Sequence, residues 1–521
     1  MEKKFNITGA CNPKYHYMID MKKRLNVIKQ YVDDGKYFAI NCGRQYGKTT
    51  TLNMLSEYLK TDYNIISLDF QKDMSELEFE SQNAFSLALV DAIFKVMKKL
   101  KIYSDFTDEI SDIESNIDRF GQNFGLVKLF RGLSAICEKT DKPFVLIIDE
   151  VDQASNNQVF LDFLAQLRGY YLDREETATF QSVILAGVHD IRNLRQKIRP
   201  DAEHKHNSPW NIASAFEVEM SFSPEDIATM LSEYEKDNNT GMDIEKISQL
   251  IYDYTSGYPV LVSNMCAIMD KKSDWTKQGV LYANREILIQ KNPLFESLIN
   301  KLEDNEQLCE LIYGILFNGY RVPYNPDDSA IDSAMMYGFV KNENGFVAVA
   351  NRIFEVRIYN WFVTREKTQS PIFIKGMNEK TQFVVGNHLD MEKILERFVV
   401  HYNDIYGSQT DKFKEEDGRK LFLLYLRPII NGVGNYYIEA QTRDHRRTDI
   451  VVDYCGEQYI IELKIWYGDE YNTKGEQQLS EYLESYHLDK GYLVTFSFLK
   501  NKNTGVKTIE CNGKIIVEAT V

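Results

Sequence analysis

The 521-residue sequence lacks any apolar run that approaches the roughly 18–20 residues required for a membrane span. Its opening residues, Met1–Phe5, lead into polar sequence and contain no apolar segment of the kind found in a signal peptide. We therefore expect a cytoplasmic protein with no membrane partner.

Cysteine is scarce, and the seven thiols include no C-x-x-C pair. This spacing argues against a disulfide framework and against a zinc site, and it favours reduced thiols in a cytoplasm. The sequence also has no fixed-period repeat and no low-complexity tract.

A net positive charge is absent as well, since 61 Lys and Arg stand against 77 Asp and Glu, a formal net charge of −16. That balance argues against a protein coated by nucleic acid along its whole length, although a local basic groove is compatible with it. The composition, 44% hydrophobic and 26% charged, is that of a globular protein. The chain is too long for one core, so we expect about two to four domains.

The strongest motif is a glycine-containing loop at residues 41–50, Asn-Cys-Gly-Arg-Gln-Tyr-Gly-Lys-Thr-Thr. The apolar run Tyr37–Ile40 predicts a buried strand before it, and Thr51–Leu59 predicts a helix after it. In this context, backbone N–H groups and the helix N-terminus hold anionic phosphates. Lys48 is predicted to reach the terminal phosphates and the Thr49 hydroxyl to ligate Mg²⁺. The predicted nucleotide contacts of the loop are Gly43, Arg44, Gln45, Tyr46, Gly47, Lys48, Thr49 and Thr50.

One position departs from the usual pattern G-x-x-x-x-G-K-[ST]. Cys42 stands where the first glycine is expected, and Gly43 follows one place later. The first half of the loop is therefore expected to turn differently, while the Gly47-Lys48-Thr49 half is intact.

The stretch Pro143–Glu150 runs through five apolar residues into two adjacent carboxylates. Such a run predicts a strand buried on both faces of a parallel sheet, and ligands bind at the carboxyl end of such strands. Asp149 is predicted to hold Mg²⁺ and Glu150 to polarise the attacking water. The alternative is a strand that merely ends in Asp-Glu. Its position about a hundred residues after the glycine loop favours the nucleotide site.

Two further stretches complete a resemblance: Ser-Pro-Trp-Asn-Ile-Ala at 208–213, and Thr255–Leu261, which reads Thr-Ser-Gly-Tyr-Pro-Val-Leu. With the loop and the Asp-Glu strand, they make roughly residues 5–270 similar to bacterial AAA-ATPase-like proteins, which are related to the archaeal ATPase and STAND groups. The resemblance implies a helical lid with Gly257 and Pro259 near the nucleotide, and assembly into homo-oligomers. ATP is favoured over GTP because no Asn-Lys-x-Asp element is present.

Related ATPases place a γ-phosphate sensor after a strand such as Gln181–Val188. His189 and Asp190 are therefore sensor candidates, and a surface pair at the strand end is an equal alternative. Three arginines follow, Arg192, Arg195 and Arg199. One of them could serve as an arginine finger, but a solvated helix face is the favoured interpretation.

Residues 296–363 have the order of a winged helix, which commonly follows this type of ATPase. The predicted elements are helices at Leu308–Phe317 and Ile331–Tyr337, a hairpin that turns at Glu343–Gly345, and a closing helix at Arg352–Phe362. Such a module either binds DNA or relays lid movement. The candidate recognition helix carries few basic residues, with Asp332, Ser333 and Met335 on it, so the relay role is favoured.

A second group of candidate catalytic residues lies near the C-terminus. Two predicted strands, residues 448–453 and 458–465, are joined by a Cys-Gly-Glu turn. Glu462 and Lys464 share one face because side chains alternate along a strand, and a hairpin brings Asp449 beside them. Two carboxylates and a lysine suit phosphodiester hydrolysis with Mg²⁺, or with Mn²⁺, bound by Asp449 and Glu462. The alternative is an exposed ion pair on an amphipathic hairpin.

This arrangement resembles the PD-(D/E)xK nuclease superfamily over roughly residues 390–521. Gln478, with Tyr482 four residues later, fits the glutamine-containing helix after the E-x-K strand of many members. The basic run Arg443–Arg447 fits their approach to phosphate. The resemblance also implies an acidic residue from the first helix. Glu416 is the first choice, and its rivals are Glu415, Asp417 and Glu439.

The predicted fold is α/β: a P-loop NTPase parallel sheet with a helical lid, a winged helix and a small nuclease-type α/β domain. The predicted boundaries are 1–225 for the ATPase core, 226–295 for the lid, 296–363 for the winged helix, 364–388 for a linker and 389–521 for the nuclease-like domain.

The leading hypothesis is an ATP-dependent or ATP-regulated nuclease that cuts nucleic acid, with DNA favoured over RNA. The resemblance implies a role in bacterial defence or mobile-element biology. The second hypothesis is a regulatory ATP switch whose nuclease-like domain only binds nucleic acid or a protein partner.

Overall fold

The computed structural model describes residues 3–154, 157–188, 212–317, 320–367, 370–386, 388–407, 413, 415–430, 434–438, 450–466, 469–499 and 502–521. Contacts between residues divide the chain into two compact units. The first comprises 1–234 with 336–338, and the second comprises 235–335 with 339–521. None of the described helices is both long enough and apolar enough to cross a membrane.

In the first unit, strands alternate with helices, as the sequence predicts for an α/β fold. The strands are β1 (Phe38–Asn41), β2 (Asn64–Asp69), β3 (Phe144–Asp149) and β4 (Ser182–Gly187). The helices of this part of the chain are α1 (Lys22–Asp33), α2 (Lys48–Leu59), α3 (Phe70–Asp73), α4 (Gln82–Leu100), α5 (Thr107–Phe120), α6 (Leu126–Glu138), α7 (Gln158–Leu172) and α8 (Pro224–Asn238).

Parallel pairing joins the four strands in the order β1-β4-β3-β2. Strand β4 therefore lies between the strand before the glycine loop and the strand that ends at Asp149. Every residue of β3 and of β4 is buried, which agrees with the prediction of strands covered on both faces. Phe38 also forms a parallel bridge to Ser214. Because the strands are parallel, their carboxyl ends meet at one edge of the sheet, where ligands bind in this class of fold.

The second unit begins with helices and continues into a short hairpin. The helices are α9 (Ile244–Thr255), α10 (Pro259–Lys272), α11 (Lys277–Ile289), α12 (Pro293–Asp304), α13 (Glu306–Phe317), α14 (Ser329–Met336) and α15 (Arg352–Lys367). The hairpin strands are β5 (Val340–Glu343) and β6 (Phe346–Val349), which pair antiparallel.

The elements between α13 and α15 occur in the predicted order. Asn344 and Gly345 at the hairpin turn have φ of 52° and 84°, the left-handed backbone that tight hairpin turns require. Helix α15 runs on to Lys367, beyond its predicted end at Phe362, because no helix breaker occurs before Pro371.

The predicted linker, residues 364–388, contains a helix, α16 (Pro371–Glu379). It packs so closely on the helix α18 (Glu415–Ile430) that a Cβ at Gly376 would lie 2.2 Å from the carbonyl oxygen of Tyr425. The sequence pattern missed it because its fully buried positions are only Ile372 and Gly376. A wide apolar stripe, the usual sign of a packed helix, is absent.

The C-terminal part of the second unit is built on a six-stranded sheet of order β13-β14-β12-β11-β10-β9. Strands β9, β10 and β11 form an antiparallel meander, and β11 pairs parallel with β12, which pairs parallel with β14. The crossover from β11 to β12 is the helix α19. The bounds are β7 (Val384–Val385), β8 (His388–Leu389), α17 (Met391–Tyr406), β9 (Gly434–Ile438), β10 (Ile450–Tyr454), β11 (Glu457–Ile465), α19 (Asp469–Ser485), β12 (Lys490–Phe496), β13 (Gly505–Cys511) and β14 (Lys514–Thr520).

Glu379, at the end of α16, joins three helices beside this sheet. It accepts hydrogen bonds from Arg397 Nε (3.2 Å) and His401 Nε2 (2.9 Å) on α17, and from the Tyr425 hydroxyl (3.3 Å) on α18. Burial acts to raise the pKa of Glu379, but the hydrogen bonds from Arg397 and His401 outweigh it and hold the pKa at about 2. The segment after α15 is thus fixed to α17 and α18.

Candidate functional site

The glycine loop passes into α2 at Gly47. This residue has φ of 79°, a backbone conformation that favours glycine, and it caps the N-terminus of α2. Gln45 also has a positive φ, 63°, and such strain is typical of ligand-binding loops. The first N–H groups of a helix have no partner within it and attract anions. The loop therefore ends in the geometry that phosphate binding needs.

Lys48, the first residue of α2, is 8% exposed. Its Nζ donates hydrogen bonds to the carbonyl oxygens of Cys42 (2.8 Å) and Gly43 (3.1 Å). The ammonium group is thus held across the loop by the loop's own backbone. These two bonds use two of the three N–H donors of the ammonium group.

Thr49 connects the loop to the acidic strand. Its Oγ1 donates a 2.6 Å hydrogen bond to Asp149 Oδ2, across a sequence separation of 100 residues. Asp149 is 6% exposed, and its Oδ1 accepts from the Glu150 N–H at 2.9 Å. The two predicted Mg²⁺ ligands therefore lie side by side.

Three carboxyl groups share this edge of the sheet. Asp69 and Asp149 are register partners at the ends of β2 and β3, and Glu150 follows with φ of 55°. Burial raises the pKa of Glu150, and the neighbouring Asp149 charge adds to the shift. Burial also raises the pKa of Asp69, with Asp149 again contributing. A cation bound here would relieve the repulsion among these groups.

Sequence reasoning missed Asp152, which lies in the 3₁₀ turn Val151–Ala154. Its Oδ2 accepts a 2.6 Å hydrogen bond from the N–H of Val188, just beyond β4. A Cβ at Gly187 would lie 2.9 Å from Val151 Cγ2, so glycine allows the turn to approach β4. The acidic turn is thereby fixed to the strand that precedes the sensor candidates. Those candidates, His189 and Asp190, and the three following arginines lie outside the described residues.

Other predicted loop residues have local roles in the structure. Thr50 Oγ1 accepts a 2.9 Å hydrogen bond from the Cys11 N–H, so its hydroxyl fixes the N-terminal segment to α2. Burial raises the pKa of the Tyr46 hydroxyl, and a Cβ at Gly43 would lie 3.3 Å from Tyr46 Cδ2. Arg44 is exposed.

Gly257 and Pro259 separate α9 from α10 in the second unit. Ser256 and Gly257 have φ of 44° and 72°, and Pro259 lies in the first turn of α10. Glycine past the end of one helix and proline at the start of the next is a favourable arrangement for both. The backbone conformation thus accounts for the presence of Gly257 and Pro259. The proximity of these two residues to a nucleotide stays a prediction.

Cys42 does not have the left-handed backbone that would require glycine. Its N–H donates to the Gly187 carbonyl at 3.4 Å, which continues the β1–β4 pairing by one residue. Burial raises the pKa of the thiol to about 11. The thiol is therefore protonated at neutral pH and poorly reactive.

Replacing Cys42 by glycine is expected to leave nucleotide affinity within about twofold of the wild type, because its backbone is one that any residue adopts. Calorimetric titration with a non-hydrolysable ATP analogue measures this. The contrasting variant is Gly47→Ala, whose Cβ would stand on left-handed backbone and which is expected to weaken binding. A tenfold loss in Cys42→Gly itself would mean that the thiol contributes to the site.

In the second unit, Glu462 and Lys464 project together from β11. Lys464 Nζ lies 2.7 Å from Glu462 Oε1, and the two side chains are 13% and 1% exposed. Glu462 is therefore buried and Lys464 only slightly exposed, in contrast to the exposed pair of the alternative interpretation. Burying charges carries a desolvation cost of several kcal/mol per ion that their attraction often fails to offset. The pair is therefore weak evidence of a stabilising contact.

The predicted hairpin is formed by β10 and β11. Its turn residues Cys455 and Gly456 have φ of 49° and 88°, and Ile450 pairs with Ile461, the neighbour of Glu462. Asp449, the residue before Ile450 in the sequence, lies outside the described residues.

Helix α19 lies against the face of the sheet that carries the pair. A Cβ at Gly475 would lie 3.4 Å from Lys464 Cγ, and Gln478 Nε2 donates a 2.7 Å hydrogen bond to the Tyr482 hydroxyl. The Gln-x-x-x-Tyr helix therefore packs beside Lys464. Of the other candidates, Glu416 falls in α18 with its side chain undescribed, Asp417 is exposed, and Glu439 and Arg443–Arg447 lie outside the described ranges.

A second buried carboxylate in this sheet was missed by sequence reasoning. Glu518 on β14 is 1% exposed and lies 2.8 Å from Lys507 Nζ, and the Thr495 hydroxyl donates to it at 3.0 Å. Leu493 is the register partner of both Glu462 and Glu518, so the two carboxylates lie in one row on the same face. The only sequence signal was an acidic residue inside an otherwise apolar strand.

The first unit thus combines the strand order β1-β4-β3-β2, the glycine loop and the acidic edge, and a family model for the AAA-like domain matches residues 12–359. The chain belongs to the AAA-like domain family. The matched region ends before the E-x-K strand, so the six-stranded sheet lies outside it. A comparison with curated proteins finds no match.

Solved structures similar to this AAA-like protein include archaeal ATPases. A Walker-type ATPase of Pyrococcus abyssi aligns with a TM-score of 0.46 at 14% identity, covering 68% of this chain and 99% of its own. Cdc6p from Pyrobaculum aerophilum aligns at 0.32 and 12% identity, covering 69% of this chain and 98% of its own. The Orc1 protein of Aeropyrum pernix in complex with DNA aligns at 0.29 and 10% identity, covering 67% and 95%.

Proposed function

We propose that this AAA-like protein binds and hydrolyses ATP and that its C-terminal domain is a metal-dependent nuclease. The ATPase part is supported by the contact between Thr49 and Asp149, which joins the glycine loop to the acidic strand. The nuclease part is carried by the close pair of Glu462 and Lys464 on β11, 2.7 Å apart. By the resemblance, the substrate is nucleic acid, with DNA favoured over RNA, and the protein assembles as a homo-oligomer.

The residues of the first unit fit Mg²⁺ and ATP. Mg²⁺ is usually held by one or two protein ligands together with substrate phosphates and water, and Thr49 and Asp149 supply such a pair of oxygens 2.6 Å apart. A full cage of protein ligands is not needed, and the described ranges contain no group of three or more His, Cys, Asp or Glu side chains placed so that they alone could hold a metal ion. When bound, the ion neutralises phosphate charge during transfer. Lys48 then serves the terminal phosphates and Glu150 the attacking water.

The ATP part is tested by Lys48→Ala. We expect this variant to lose ATP binding, because it removes the ammonium group that lies across the glycine loop and is proposed to contact the terminal phosphates. Titration with labelled ATP measures the affinity, and circular dichroism checks that the fold is kept. Unchanged ATP affinity in a folded Lys48→Ala variant would contradict the assignment of the loop.

The nuclease chemistry follows from the arrangement of charges. Two carboxylates that hold a divalent ion lower the pKa of bound water and stabilise charge on the phosphate, while a lysine neutralises charge or orients the nucleophile. Glu462 and Lys464 provide one carboxylate and the lysine. Asp449, by its place before Ile450, is the proposed second ligand. Gln478 and Glu416 are proposed as supporting residues of the same site.

The nuclease part is tested with the purified full chain on single- and double-stranded DNA and RNA. We expect cleavage with Mg²⁺ or Mn²⁺ that a chelator abolishes and that Lys464→Ala lacks. Absence of cleavage under every metal and nucleotide condition would replace this proposal by the regulatory switch, whose nuclease-like domain only binds. Cleavage that persists unchanged in Lys464→Ala would show that the site lies elsewhere.

A further inference from the structure

Asp453 on β10 is a buried carboxylate, 6% exposed, that is held from two sides. The Tyr254 hydroxyl donates to its Oδ2 at 2.9 Å, and Gln458 Nε2 donates to its Oδ1 at 2.8 Å. A buried charge is tolerated only with such partners, and removing one leaves it undercompensated. Asp453 thus ties helix α9 to the hairpin that carries Glu462 and Lys464.

Tyr254 lies at the end of α9, three residues before Gly257, and is 4% exposed. Arg352, at the start of α15, lies 6.0 Å from the centre of its ring. Tyr254 belongs to α9 in the predicted lid layer (residues 226–295), and its ring lies beside α15, which falls outside those bounds. A movement of α9 therefore moves the Tyr254 hydroxyl.

A second contact holds the same hairpin at its turn. A Cβ at Gly456 would lie 2.1 Å from Nε2 of Gln278, so the side chain of Gln278, on α11, rests against the turn. Two helices of the lid layer, α9 and α11, therefore contact one hairpin at two places, the strand and the turn.

The hairpin connects these contacts to the E-x-K residues without interruption. Register pairs run from Asp453 and Gln458 to Ile450 and Ile461, and Glu462 is the next residue of β11. Strand β11 is continuous from Glu457 to Ile465, so it transmits a displacement at its start along its length.

We propose that the hydrogen bond from Tyr254 to Asp453 couples the nucleotide state of the ATPase to the position of the E-x-K strand. Tyr254 and Asp453 are positioning residues: they touch neither ATP nor nucleic acid. This inference rests on the proposed function for its output, the cleavage. Its structural core, a nucleotide-dependent change in the β10–β11 hairpin, is measurable without cleavage.

The test is Tyr254→Phe in the full chain, which removes the hydroxyl and keeps the ring. In the wild type, ATP is expected to change the cleavage rate by a factor of about five or more, since about fivefold is the lower end of typical coupling between two sites. In Tyr254→Phe, the rates with and without ATP are expected to be nearly equal. ATP hydrolysis and cleavage without nucleotide are expected to stay unchanged. The matched control is Tyr282→Phe on α11, whose ring lies under Lys272 and Arg285 through contacts that need no hydroxyl.

Hydrogen exchange of residues 450–465, with and without an ATP analogue, provides the second readout. We expect nucleotide-dependent protection in the wild type, its loss in Tyr254→Phe, and its retention in Asp453→Asn, which keeps an oxygen acceptor for Tyr254. No nucleotide effect on this segment in the wild type, or a full effect in Tyr254→Phe, would overturn the coupling. If the wild type cuts nothing but Tyr254→Phe loses the exchange response, the nuclease proposal fails and the coupling stands.

Discussion

Lys464→Ala is expected to lower metal-dependent cleavage by about a hundredfold to a thousandfold, the loss that follows removal of one positioned charge-stabilising group. Nζ of Lys464 lies 2.7 Å from Glu462 Oε1, so the lysine pairs with the carboxylate that is proposed to bind the metal ion. Single-turnover cleavage of a labelled duplex measures the chemical step. A loss confined to substrate affinity would assign Lys464 to binding alone.

The same change leaves Glu462 buried without its cation, which is destabilising by about 3–5 kcal/mol in comparable pairs. Thermal unfolding of the variant is therefore measured in parallel. Lys507→Ala is the control, because it likewise leaves a carboxylate that is 1% exposed, Glu518, without the lysine that lies 2.8 Å from it. Equal loss of cleavage in Lys507→Ala would attribute the effect to stability. Lys464→Arg keeps the charge and is expected to stay folded while cutting slowly.

Glu150→Gln is expected to slow ATP hydrolysis by about a hundredfold to ten-thousandfold, the range of general-base contributions, while ATP still binds. Glutamine keeps the size of the side chain and removes its basicity. The left-handed backbone at this position, φ of 55°, is borne equally by both residues. Phosphate release and ATP affinity are measured on the same preparation, and tight binding with wild-type turnover would refute the role.

The pH profile provides an independent check on the same residue. Burial, with the Asp149 charge, raises the pKa of Glu150, and only the carboxylate form accepts a proton. The wild-type hydrolysis rate should therefore fall as pH decreases through that raised pKa, whereas the residual rate of Glu150→Gln should lack this step. Asp69→Asn tests the electrostatic part of this shift: Asp69 is among the charges that raise the pKa of Glu150, so its removal should move the step to lower pH.

The sequence predicted the parts of the fold whose burial pattern is uniform. Strands β3 and β4 are apolar except for Asp149 at the end of β3 and Ser182 at the start of β4, and both strands are fully buried. For β3 this composition alone indicated a parallel sheet. The hairpin at Cys455 and Gly456 was predictable for a different reason: its turn residues need a positive φ. In both cases the local structure could be predicted from the types of the residues in the segment itself.

The residues that sequence reasoning missed depend on contacts between distant segments. Asp152 accepts a hydrogen bond from the N–H of Val188. Glu518 accepts one from Thr495 and pairs with Lys507. A single acidic residue has no pattern of its own, so only the strand order identifies its partner. Helix α16 was missed because its contact with α18 uses Gly376, and close packing through a missing side chain leaves no apolar signal.

The hydrogen bonds of Lys48 to the carbonyls of Cys42 and Gly43 have a consequence for the affinity of the proposed ATP site. In the proposed ATP site, a phosphate that pairs with this ammonium group replaces hydrogen bonds to the loop's own carbonyls. Only the difference between the two sets of hydrogen bonds then contributes to affinity. The contribution of Lys48 to ATP affinity is therefore smaller than the full strength of an ammonium–phosphate contact.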